Sequence, residues 1–120
     1  MLFKKNIKKV LAERGFTHSG NDATLSIHGE YARHIQYVFS KEHFGNAGRV
    51  MDLVFLTADF RNERIVIGFF RENVSVEHGV LMNTAASIPL LKFSIETLEK
   101  ELDRIIPSDD PANQGNLEGI

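Results

Sequence analysis

Apolar positions crowd into one stretch of the chain, Val50 to Phe70, VMDLVFLTADFRNERIVIGFF. Two β-branched and aromatic runs there flank a single charged break, Arg61-Asn62-Glu63-Arg64. Runs this apolar do not face water, so each half predicts a strand inside one sheet, the two joined by a short turn. Ahead of them the pattern changes period. Phe3, Ile7, Val10 and Leu11 recur at helical spacing, which predicts an amphipathic helix over residues 2–14. Gly15 stands where a left-handed C-terminal cap belongs, and Phe16 is expected to fold back on the last turn.

Residues 23–27 and 31–39 read as a hairpin. A two-residue loop at Gly29-Glu30 sets its apolar rows on opposite faces. A three-residue loop, His28-Gly29-Glu30, pairs Ile27 with Tyr31 and brings the rows together, so burial favours that register. Lys41 to Arg49, with Gly45, Asn46 and Gly48, reads as a loop. Between Glu72 and Leu91, Val74 and Val76 alternate like a strand, Gly79 breaks the run, and Val80-Leu81-Met82 offers a further short strand; the path of this segment is left open. Ser94 to Ile106 is the clearest helix, capped by Ser94, striped by Ile95, Leu98, Leu102, Ile105 and Ile106, and stopped by Pro107. The expected fold is therefore α+β: a single antiparallel sheet of four to five strands with the N-terminal and C-terminal helices packed on one face. Residues 1–106 are expected to form one domain and 107–120 a polar C-terminal tail.

Composition narrows the chemistry. Of the 120 residues 42% are hydrophobic and 25% charged, ordinary for a globular domain that buries a core without staples. The net charge of −2 gives no global pull toward nucleic acid or membrane. There is no cysteine, which excludes disulfides, thiolate metal sites and cysteine nucleophiles. No window approaches the roughly 18 apolar residues a membrane-spanning helix needs, and the first residues lack a signal peptide's apolar core. A cytoplasmic location is expected.

Charge is segregated between the two ends. Lys4, Lys5, Lys8, Lys9 and Arg14 outnumber Glu13 in the first twenty residues. From residue 94 onward, Glu96, Glu99, Glu101, Asp103, Asp109, Asp110 and Glu118 outnumber Lys100 and Arg104. The like-charge pairs Lys4/Lys8 and Lys5/Lys9 repel at i,i+4. Either the two helices lie side by side and neutralise each other, or one of them meets a partner of opposite charge.

The five histidines, His18, His28, His34, His43 and His78, show no metal-ligand spacing, and solvated surface positions account for most of them. An enzyme would need His28, His34 and a carboxylate to converge. Gly45-Asn46-Ala47-Gly48-Arg49 does not lead into a helix, as a phosphate-binding loop must. Asp52 and Asp59 fall on opposite faces of one strand and read as structural, Asp52 pairing with Arg49 or Arg33. Gly68 suggests a bulge or a close helix contact. Most phenylalanines belong to the core; Phe44, in a polar setting, is the exposed contact candidate.

The order of basic helix, Gly15-Phe16, polar link Ser19-Gly20-Asn21, hairpin with Ile35-Gln36 and late helix opened by Phe93-Ser94-Ile95 resembles a bacterial family, domain of unknown function 4304. That resemblance implies no catalytic residues. By size and class the chain is also similar to bacterial immunity proteins. The resulting expectation is a small protein-binding module rather than an enzyme, an immunity protein that blocks a basic toxin by occlusion. Its partner-binding residues would be Glu99, Asp103, Asp109, Asp110 and Phe44. The alternative is a nucleic-acid- or small-ligand-binding domain using Lys4, Lys5, Lys8 and Lys9. No cofactor or metal is expected, and the chain would be a monomer or a homodimer.

Overall fold

A computed structural model describes residues 4–18, 23–24, 34–45 and 48–107. Helix α1 (Lys4–Glu13) opens the chain, followed by two-residue strands β1 (Thr17–His18) and β2 (Ala23–Thr24). Four long strands come next: β3 (His34–Gly45), β4 (Gly48–Asp59), β5 (Arg64–Asn73) and β6 (Val80–Pro89). A single 3₁₀ turn, Leu90–Lys92, leads into helix α2 (Ile95–Ile105). The long strands form an antiparallel meander in the order β3-β4-β5-β6, while β1 and β2 both pair along β3. This is the α+β class expected from the pattern, one antiparallel sheet with a helix from each end of the chain.

The alternation of each strand decides which residues the helices cover. Phe39, Val54, Phe69 and Thr84 stand opposite one another across the four strands, as do Tyr37, Leu56, Ile67 and Ala86. These rows, joined by Ile65 and Ile88, pack against Ile7, Val10 and Leu11 of α1 and Leu98, Leu102 and Ile105 of α2. Burying one side chain of this size removes it from water at a gain of about 1.5–3 kcal/mol, so this layer is what holds the domain together.

Both helix ends are closed by local chemistry. Gly15 adopts φ +84°. Its N–H donates to the Ala12 carbonyl at 3.0 Å and that of Phe16 to Leu11 at 3.0 Å, with Phe16 buried against the core as expected. At the other end the Ser94 hydroxyl accepts from the Thr97 N–H at 3.2 Å, and the Thr97 hydroxyl accepts from the Ser94 N–H at 2.8 Å.

Several sequence expectations are corrected. The segment Lys41–Arg49 is not a loop: β3 runs to Gly45 and β4 starts at Gly48, directly opposite. Gly45 and Gly48 mark only the end of a long hairpin, with Gly48 at φ +117°, and Asn46 lies outside the described residues. Residues 74–79 form a turn, so Val74 and Val76 are not strand positions, and β6 is one ten-residue strand rather than a three-residue one. Gly68 is in regular ladder between Phe55 and Ala85, on the face away from the helices; the bulge lies instead at Arg71/Glu72. The first hairpin's loop, His28-Gly29-Glu30, lies outside the described residues. The register that is described sets Ala23 opposite Gln36. A three-residue loop, carried on without a bulge, would set Ala23 opposite Ile35.

Candidate functional site

The helix charges meet in one place. Arg14, just past α1, reaches Asp103 of α2 at 2.9 and 3.2 Å and Glu99 at 3.5 Å. Two residues expected to face a partner are thus engaged by the residue that follows α1. Lys5, Lys8 and Lys9 are exposed. Lys4 lies in α1, with its side chain outside the described atoms, and Asp109 and Asp110 lie outside the described residues.

The sheet face opposite the helices is the larger exposed feature. Register sets Val38, Phe55, Gly68 and Ala85 side by side there, then Ser40, Leu53, Phe70 and Asn83, then Thr57, Val66 and Ser87. Among the described residues no element covers this face. Val38, Met51, Leu53, Phe55 and Phe70 are half-buried there, and Val66 is 38% exposed. Gly68 makes room at its centre: the Phe55 ring lies over it, 3.9 Å from where a Cβ would stand.

Phe44 extends the same face to the end of the sheet and is 75% exposed. The turn between β5 and β6 meets the β3–β4 hairpin at this end. Arg49 donates its N–H to the Ser75 hydroxyl at 2.8 Å, and Val74 donates to the Arg49 carbonyl at 2.9 Å. Asn73 braces the turn from within, its side-chain oxygen accepting from the Ser75 N–H at 3.0 Å. Exposed Val74, Val76 and Val80 are held around this junction. Apolar side chains fixed on hydrogen-bonded turns keep their geometry when a partner arrives, which lowers the entropy cost of binding.

On the helix-covered side, the same end of the sheet holds a buried polar chain. Asp52 accepts from Arg71 Nε at 2.8 Å and from Nη2 at 3.1 Å, and its Oδ2 lies 3.0 Å from His43 Nε2. Asp52 and Arg71 are 2% and 1% exposed. The Arg71 guanidinium also lies 5.5 Å from the Phe69 ring centroid. The expected pairing of Asp52 with Arg49 is therefore corrected: Arg49 binds Glu42 instead, and Arg33 lies outside the described residues. His43, one of five histidines, most of them expected at solvated surface positions, belongs to this chain.

A carboxylate holding an imidazole is the geometry that orients a general base. Here the carboxylate is also held by Arg71, and no group of three or more potential metal ligands stands among the described residues. The chain of contacts closes the polar end of the core. The signal for it was in the sequence: Asp59 faces Arg64 at the turn, and counting seven residues outward along each strand lands on Asp52 and Arg71. Of the two histidines considered for catalysis, His28 lies outside the described residues; His34 begins β3 with its side chain outside the described atoms.

Comparison with protein-family models, with curated proteins and with solved structures finds no match to this chain.

Proposed function

We propose that this chain is a small protein-binding module whose contact surface is the helix-free face of its sheet, anchored by Phe44. The observation that carries it is the apolar band Val38, Leu53, Phe55, Val66 and Phe70, which runs toward a largely exposed phenylalanine at a braced hairpin tip. Apolar side chains left on an uncovered face mark interaction sites, and aromatic anchors carry a large share of interface energy; the row Glu42, Met51 and Glu72 lies between the band and Phe44. The partner it fits presents an apolar patch of its own, since the centre of the band carries no charge. Toxin neutralisation by occlusion is the most specific form of this reading. It is decided by what the partner turns out to be.

The test is capture of the partner from the native host with three baits: the native chain, Phe44→Ser/Val66→Ser, and Glu99→Gln/Asp103→Asn. Capture lost with the first variant and kept with the second supports the sheet face. The reverse result moves the contact to α2 and overturns it. A captured toxin domain would establish the immunity reading. A second reading, anion binding through α1, has the exposure of Lys5, Lys8 and Lys9 in its favour. It requires binding to nucleic acid that falls steeply with added salt.

A further inference from the structure

The two edges of the sheet are treated differently. Along β3 the chain supplies its own cover, β1 opposite Ser40 and Phe39 and β2 opposite Gln36 and Ile35. Along the outer side of β6 no strand pairs among the described residues. Edge strands are ordinarily protected by charged side chains, bulges or proline. In β6 the bulge lies at its start, opposite Arg71/Glu72, and Pro89 at its end, so Met82 to Ile88 between them is regular ladder. From Val80 to Leu91 there is not one charged residue, whereas β3, β4 and β5 each carry at least two.

We propose that β6 pairs edge to edge with β6 of a second copy, joining two sheets into one across a two-fold axis at Ala85. Three observations select a second copy over an unrelated strand. An edge without charge best fits a strand equally without charge, and antiparallel β6 meets itself with no like-charge contact. Among the described residues each chain has one bare edge, β6, while β1 and β2 pair along part of the other, β3; a two-fold pairing of β6 with itself uses the bare edge of both copies, so it closes at a dimer instead of growing into a fibre. A two-fold axis normal to the sheet keeps both helix layers on one side and sets the two uncovered faces side by side on the other, enlarging the surface on which the proposed protein contact rests. The pairing stands on the edge, not on that contact, so either can fail alone.

Ala85 is exposed on the helix-free side and lies opposite its own copy on the axis, which allows a charge-swap test. Edge-only interfaces are small and correspondingly weak, so sedimentation equilibrium should extend to about 1 mM chain. The native chain is expected to reach twice its 13.5 kDa monomer mass. Ala85→Lys alone and Ala85→Glu alone should each lose the dimer, since two like charges then meet on the axis. Mixed together they should regain it, with native mass spectrometry finding one copy of each per dimer. A native chain that stays monomeric across this range overturns the proposal. So does a dimer that survives Ala85→Lys, and so does a mixture that fails to re-form one while circular dichroism shows both variants folded.

Discussion

Replacing Asp52 by asparagine changes almost no volume and removes one charge from the most buried ion pair described. Arg71 is 1% exposed and loses the carboxylate charge it contacts at 2.8 and 3.1 Å, while the oxygen 3.0 Å from His43 becomes part of a neutral amide. Removing one member of a buried pair costs about 3–5 kcal/mol, because the remaining charge keeps its desolvation penalty without its counter-charge. Against the roughly 5–15 kcal/mol that stabilises a domain, this is about a third to a half of the total for a mid-range protein. Arg71→Met should cost less, about 2–3 kcal/mol, because Asp52 keeps His43 within hydrogen-bond distance. Replacing both, Asp52→Leu with Arg71→Met, should return stability to within about 1–2 kcal/mol of native, since no buried charge is then left over. Urea unfolding followed by circular dichroism reads all three, provided the m-value stays constant. A loss below about 1 kcal/mol for Asp52→Asn, or a double variant as unstable as the two singles summed, would refute the picture of a desolvated, mutually dependent pair.

Two glycines make opposite predictions from the space around them. A Cβ on Gly79 would overlap the Asn73 carbonyl oxygen, so Gly79→Ala should open the β5–β6 turn at a cost of about 2–3 kcal/mol. A Cβ on Gly68 meets only Phe55 at 3.9 Å, so Gly68→Ala should be neutral or stabilise by about 0.5–1 kcal/mol through the unfolded chain. At about 4 °C per kcal/mol for a domain of this length, thermal unfolding separates the pair clearly; a Tm rise for Gly79→Ala would contradict the turn geometry. Ser94→Ala removes the hydroxyl that accepts from the Thr97 N–H and should cost about 1 kcal/mol, with Ser94→Asp recovering most of it. An unchanged denaturation midpoint for Ser94→Ala would mean the cap contributes nothing.

The parts of this protein that depend on neighbours in sequence are legible in the chain itself. The stripe in residues 94–106, the serine ahead of it and the glycine after α1 announce two helices through contacts within a turn or two. The apolar runs around Arg61–Arg64 announce two interior strands. Legibility failed where a residue's meaning lies across the sheet. The glycines and asparagine at 45–48 give a loop signal that hid the far end of β3, which is held by β4 and not by its own propensity. Asp52 and Arg71 look like interruptions in greasy runs. They are paired because the turn sets the register and every opposite pair follows from it.

By itself the sequence determined the α+β class, the two helices, and the absence of thiol chemistry, since periodicity, capping and composition are local or additive properties. Only the tertiary structure decided that Glu99 and Asp103 face Arg14 and that, among the described residues, one sheet face has no covering element and β6 has no outer strand partner. Those are statements about which surfaces remain after packing, and packing is settled by contacts between residues far apart in the chain.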